Sequence, residues 1–164
     1  APLRSRFSGG TFKLEFYTAS EIQSIIHRSA KLLKIDIDEK SSAKIAERSR
    51  FTPRTANFLL KRVRDLAQVG KVPVSPEIVD RALAMLGIDE LGLTQSDRDL
   101  LRTLIDKFGG GPVGLNTLAA SLSEEEATVE EVHEPYLLQL GLLERTPRGR
   151  KATDKAFEHL HIKK

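Results

Sequence analysis

Arg145-Thr146-Pro147-Arg148-Gly149-Arg150-Lys151 is the stretch that decides how the second half of this chain folds. Leu142-Leu143-Glu144-Arg145-Thr146 reads as a strand, Pro147-Arg148-Gly149 as a tight turn, and residues 150–153 as a returning strand. A closing helix follows over 154–160. The hairpin holds four cations in seven residues, with no acid between them. Arginine presents a planar fork that matches phosphate oxygens in a bidentate way, and a protruding hairpin can place such forks in or across a groove. Arg145, Arg148, Arg150 and Lys151 are therefore candidate nucleic-acid contacts.

Working back from the hairpin, residues 97–108 have helical spacing, with Ser96 as the expected N-cap and Gly109-Gly110-Gly111-Pro112 as the break. A second helix is predicted over 115–122. Thr128-Val129-Glu130-Glu131 reads as a capping box opening a third helix towards residue 140, with Pro135 interrupting it. Three helices and then a hairpin is the order of a winged helix, here spanning 93–164. The third helix, which enters the groove in many such domains, carries Glu130, Glu131 and Glu134 and follows Glu124-Glu125-Glu126. Those carboxylates repel phosphate, so the wing is expected to hold the backbone without reading bases, in a sequence-tolerant and salt-sensitive way. Two other readings stay open: the cations are an ordinary solvated turn, or the acidic helix docks a protein.

Residues 19–90 read as a bundle of about four helices. The first, over 21–33, places Ile22, Ile25, Ile26, Leu32 and Leu33 at helical spacing. The second, over 41–50, carries Ala43, Ile45 and Ala46. Thr52 is a good N-cap and Pro53 suits the first helical position of the third, whose apolar face is Leu59, Leu60, Val63, Leu66 and Ala67 and whose stop is Gly70. Ser75-Pro76 opens a fourth, ending near Gly87. Residues 88–94 connect the two domains, with Gly92 as a candidate hinge.

Residues 1–18 read as the tail of something larger, with strand-like alternation over Lys13-Leu14-Glu15-Phe16-Tyr17. Arg54 sits in the first turn of a capped helix, where backbone N–H groups favour anions. A contact with Phe58 or a surface ion pair explains it equally well. Lys61, Arg62 and Arg64 read as a solvated face, and Arg4 and Arg6, on their own, as salt-bridging residues.

Composition sets the outer limits. Hydrophobic residues make up 40% and charged residues 30%, which suits a globular protein with a mostly aliphatic core, since aromatics are 5%. There is no cysteine, so disulfides and thiolate metal sites are excluded. His27, His133, His159 and His161 lack metal-ligand spacing, and no metal is expected. No apolar run approaches the roughly 20 residues of a membrane span, and no secretion leader is visible. A net charge of +3 permits nucleic-acid binding without arguing for it.

Several blocks together resemble one family. Pro2-Leu3-Arg4-Ser5-Arg6-Phe7, Leu14-Glu15-Phe16-Tyr17, Thr52-Pro53-Arg54-Thr55-Ala56-Asn57, Asp106-Lys107-Phe108, Gly110-Gly111-Pro112-Val113-Gly114-Leu115, Glu134-Pro135-Tyr136-Leu137 and Arg145-Thr146-Pro147-Arg148-Gly149-Arg150 resemble, in order, the RuvB branch-migration ATPases. The resemblance implies a mainly α chain: an AAA+ helical lid followed by a winged helix with a β-hairpin wing. It implies the lid and DNA-binding portion of a bacterial, cytoplasmic, hexameric motor. That motor uses ATP/ADP with Mg and acts on Holliday junctions and their duplex arms with RuvA and RuvC in recombination and repair, with no membrane. It also implies residue roles: Arg6 reaching the neighbouring subunit's nucleotide as an arginine finger, Tyr17 beside the nucleotide, Arg54 as the sensor contacting phosphate, and Arg145 and Arg150 on DNA.

The chain departs from the family pattern in three ways. It contains no Gly-x-x-x-x-Gly-Lys-Ser/Thr loop and no acidic metal-binding block after one, so it is expected to hold no nucleotide and to be inactive alone. Ser8-Gly9-Gly10-Thr11 is longer and richer in glycine, which bears on where Arg6 is held. Glu126 stands where the family can carry a basic residue, so no DNA contact is transferred there. The rival function is a winged-helix transcription regulator whose helical bundle dimerises. A protein-interaction module using the acidic helix is a third option.

Overall fold

A computed structural model describes residues 15–163, and the chain divides into two compact units that meet at Val79–Asp80. The first unit is helical. Helix α1 (Ala19–Leu32) opens with a capping box: the Thr18 hydroxyl accepts from the Glu21 backbone N–H, and the Glu21 carboxylate accepts from the Thr18 N–H at 2.8 Å. Helix α2 (Glu39–Glu47) is capped by Asp38 and helix α3 (Pro53–Gly70) by Thr52, with Pro53 in its first turn as expected. Ile22 and Ile26 of α1, Ile45 of α2, and Leu59, Leu60 and Val63 of α3 are fully buried. Each such side chain contributes about 1.5–3 kcal/mol of transfer free energy, and together they hold the three helices in mutual contact. Helix α4 (Pro76–Met85), within which the boundary between the units falls, begins with the Ser75 hydroxyl accepting from the Ile78 N–H.

The first-unit expectations need two corrections. Gly70 is the last helical residue of α3, and the stop is Lys71, which takes the left-handed conformation at φ 52°. Residues 15–18 form no strand. Arg62 covers the Phe58 ring, at 5.7 Å, from one helical turn further on.

The second unit has the winged-helix order. Helix α5 (Gln95–Phe108) and helix α6 (Leu115–Leu122) pack together. A short helix α7 (Glu126–Thr128) runs through a π-helical segment (Val129–His133) into helix α8 (Glu134–Gln139). Strands β1 (Leu143–Thr146) and β2 (Gly149–Ala152) form an antiparallel hairpin, and helix α9 (Asp154–His159) closes the unit. Leu100, Leu101 and Leu104 of α5, Leu118 of α6, Val129, Leu137 of α8, Leu142 and Ala156 of α9 are buried at its centre.

Two local expectations fail here, each for a physical reason. The cap of α5 is Thr94, not Ser96: the Asp97 carboxylate accepts from both the Thr94 N–H and its hydroxyl, which completes the box two residues earlier. Thr128 is interior to a helix that begins at Glu126, so Thr128-Val129-Glu130-Glu131 is not a capping box. Gly92 lies in a tight turn in which the Asp89 carboxylate accepts from the N–H groups of Leu91 and Leu93, while Asp89 also holds Arg98 and His159.

Pro135 explains the π segment. Proline has no N–H to donate, and its ring would press on the carbonyl four residues back in a regular α-helix. The chain widens instead, so that the Glu134 N–H donates to the Val129 carbonyl, five residues back. The widened turn leaves two consecutive polar side chains, His133 and Glu134, buried in the unit.

Candidate nucleic-acid interface

The hairpin is held from three sides. Its register pairs Leu143 with Ala152, Glu144 with Lys151, Arg145 with Arg150 and Thr146 with Gly149. The glycine-rich break after α5 pairs with it as a third, strand-like segment. The Val113 N–H donates to the Arg150 carbonyl at 2.9 Å, the Arg150 N–H donates to Val113 at 2.7 Å, and the Ala152 N–H donates to Gly110 at 2.9 Å. This close approach is what requires glycine. Gly111 sits at φ +90°, and a β-carbon there would run into the Arg150 carbonyl; one at Gly149, at φ +132°, would run into that of Val113. At the tip, the Thr146 hydroxyl donates to the Gly149 carbonyl and accepts from the Arg148 N–H.

Side chains alternate across the two strands. Leu143 and Ala152 face the core, which puts Arg145 and Arg150 on the same inner face, directly opposite one another. Both reach the carboxylate of Glu134 on α8, which is fully buried. Arg145 Nε and Nη2 donate to Glu134 Oε2 at 2.6 Å, and Arg150 Nε donates to Oε1 at 2.6 Å. Glu130, on the π segment, stands 3.5 Å from Arg145 Nη2 and 3.7 Å from Arg150 Nη2. Side-chain exposure separates the two arginines: 45% for Arg145 and 16% for Arg150. Arg148 and Lys151 are exposed and make no ion pair among the described residues.

The four cations are thus not equivalent. Two form an internal cluster with Glu134 and Glu130, and two project. The sequence reading treats the four cations alike and the helix carboxylates as repelling only, and the ion pairs to Glu134 and Glu130 separate them. Sequence reading places Glu134 only among the acids that repel phosphate, whereas it holds both inner arginines. Its signal was there in the alternation, since Leu143 facing inward sends Arg145 and Arg150 inward too.

Two of the histidines lie against acids of the second unit. His133 Nδ1 lies 2.8 Å from the buried Asp97 carboxylate, and His159 Nε2 lies 2.9 Å from Asp89. Among the described residues, no three His, Asp or Glu side chains are grouped to hold a metal ion, and no helix is long and apolar enough to cross a membrane. In the first unit, Arg54 is exposed in the first turn of α3 and Tyr17 is 46% exposed just ahead of α1. Arg62 and Arg64 both pair with Asp65, so only Lys61 of that trio is left to a purely solvated face. Arg6 lies outside the described residues.

Known proteins place both units. The family described as the RuvB AAA lid domain matches residues 17–89, and that described as the RuvB C-terminal winged helix domain matches residues 90–161. The Holliday junction branch migration complex subunit RuvB of Dehalococcoides mccartyi (strain CBDB1) is 55% identical over 163 residues, covering 99% of this chain and 46% of its own length. The subunit of the same name from Koribacter versatilis (strain Ellin345) is 54% identical, covering 99% and 45%. Among solved structures, the Thermotoga maritima RuvB Holliday junction branch migration motor superposes with a TM-score of 0.96 at 50% identity, covering 100% of this chain and 55% of that one. The chain spans about half the length of the curated relatives it matches.

Proposed function

This chain belongs to the RuvB family, and on that premise we propose that it is the lid and DNA-gripping portion of an ATP-driven motor that moves Holliday junctions. The braced wing with its outward Arg148 and Lys151 carries the DNA half of this reading. Those two cations meet backbone phosphates on a duplex arm. Arg145 adds the outer edge of its guanidinium, while Arg150, mostly buried, chiefly sets the wing's position. Phosphate contacts of this kind carry no base information, which suits a motor that must pass over any sequence. A transcription regulator needs the opposite, and two matching RuvB domains do not favour it.

The lid half rests on Arg54. The N-terminal turn of an 18-residue helix with an exposed arginine fits a nucleotide phosphate held by another segment. Bound ATP would supply the phosphoryl group whose state the lid transmits, with Tyr17 beside the nucleotide and Arg6 acting across a subunit interface of a hexamer. The sequence carries no Gly-x-x-x-x-Gly-Lys-Ser/Thr loop to cradle the phosphates and Mg, which supports the reading that this chain alone turns over no ATP. RuvA and RuvC complete the assembly, in the bacterial cytoplasm.

The test is fluorescence anisotropy of a labelled four-way junction and a matched duplex over a salt series, with the native chain and Arg148→Ala/Lys151→Ala. Loss of two phosphate contacts should lower the salt slope by about 1.8. Arg145→Ala/Arg150→Ala is a poorer probe, because it strands the buried Glu134 carboxylate. No binding at low salt, or binding indifferent to the tip cations, overturns the wing assignment. ATP turnover above a buffer control overturns the claim of inactivity.

A further inference from the structure

Resting on the wing reading above, we infer that Glu130 sets the strength of the DNA contact, as the carboxylate that a backbone phosphate must displace from the wing arginines. Charge on the inner face cancels: the guanidiniums of Arg145 and Arg150 stand against the carboxylates of Glu134 and Glu130. Glu134 cannot leave, being fully buried and bound to both arginines at 2.6 Å. Glu130 is different. Its side chain is 47% exposed, and at 3.5 and 3.7 Å it lies beyond ordinary hydrogen-bond distance.

Both Nε atoms and the Nη2 of Arg145 are taken by Glu134 at 2.6 Å, and Arg145 remains 45% exposed on its outer edge. A phosphate approaching the outer edge of Arg145 therefore arrives beside Glu130 and competes with it for the same guanidinium. Phosphate and carboxylate repel at that distance, so every binding event must swing Glu130 away. The arrangement keeps the grip weak enough to be released at each step along the duplex. The tip cations attract, and Glu130 limits how firmly the base of the wing closes.

The experiment compares the native chain with Glu130→Gln and Glu131→Gln on the same labelled junction and duplex. Glu131 is the neighbouring exposed carboxylate, with no ion pair to the wing among the described residues, so it controls for net charge alone. Glu130→Gln should tighten binding to both DNAs about three- to tenfold at low salt, from the loss of one carboxylate–phosphate repulsion at a few ångströms in water-like dielectric. The gain should shrink towards zero as salt screens it. Glu131→Gln should give less than half of that gain. Unchanged or weaker binding by Glu130→Gln, or an equal gain from Glu131→Gln, overturns the inference while leaving the wing as the grip. If the native chain itself fails to bind DNA, the wing reading falls, and this inference falls with it.

Discussion

Glu134→Gln is the substitution that most directly tests how the wing is held. The native carboxylate is fully buried and accepts from two arginines on facing strands. Glutamine keeps the shape but has one acceptor oxygen, and its amide nitrogen would confront the N–H donors of the second arginine. Breaking a buried ion pair by removing one partner costs about 3–5 kcal/mol. The lower end applies here, because Arg145 is 45% exposed and can turn to water, whereas Arg150 at 16% cannot. A unit the size of Asp80–Lys164 has a total stability of roughly 4–13 kcal/mol. A loss of about 3 kcal/mol would lower its Tm by roughly 12–24 °C. Near-UV circular dichroism during urea and thermal unfolding follows this unit selectively. The chain has no tryptophan and two tyrosines, and Tyr136 is buried with its hydroxyl bonded to the Leu91 carbonyl, while Tyr17 is exposed. A change below about 1 kcal/mol, the worth of an exposed ion pair, would refute the claim that Glu134 anchors the hairpin.

Two further outcomes follow from the same geometry. Gly111→Ala should destabilise the second unit by about 2–4 kcal/mol, from backbone strain at φ +90° plus the loss of one bridging hydrogen bond; a urea midpoint within error of native would contradict the glycine argument. The Thr18 backbone N–H, and after it the Thr18 hydroxyl, donates to Glu21 and holds its carboxyl below the ordinary 4.5. The folded form therefore gains stability from this group above about pH 4.5 and loses it as pH falls through the lower folded value. An NMR titration of the Glu21 side chain should show a midpoint below 4.5, and Glu21→Gln should flatten the acid limb of the stability curve; a midpoint at or above 4.5 would show that the cap does not form in solution.

Much of the architecture is legible because it rests on local signals. Thr52-Pro53 marks the start of α3 correctly, since a hydroxyl cap and a ring with fixed φ act within one turn. The hairpin over Leu143–Thr146 and Gly149–Ala152 is legible for the same reason. Ser96 and Thr128 mislead because each has an acid three residues on, Asp99 and Glu131, and so fits the capping pattern, although the helices begin earlier, at Gln95 and Glu126. Asp97 selects Thr94. The π segment is invisible to a 3.6-residue period, although Pro135 announces that something must give. The site is where sequence reasoning falls furthest short. Four cations in a row look alike, but two of them meet an acid eleven and sixteen residues away through tertiary contact.

The bracing of the hairpin bears on the thermodynamics of association. Two strands of four residues are marginal by themselves in water, and a loose ribbon would have to be ordered by its ligand. Here the Val113 bridge, the Ala152–Gly110 bond and the Glu134 clamp fix the backbone in advance, so only the long side chains at the tip give up rotamer freedom, about 0.5–1.5 kcal/mol each. The wing thus behaves as a preformed tooth. Its engagement with a duplex should be driven by counterion release, with a small heat-capacity change and with little of the unfavourable entropy that accompanies folding on contact.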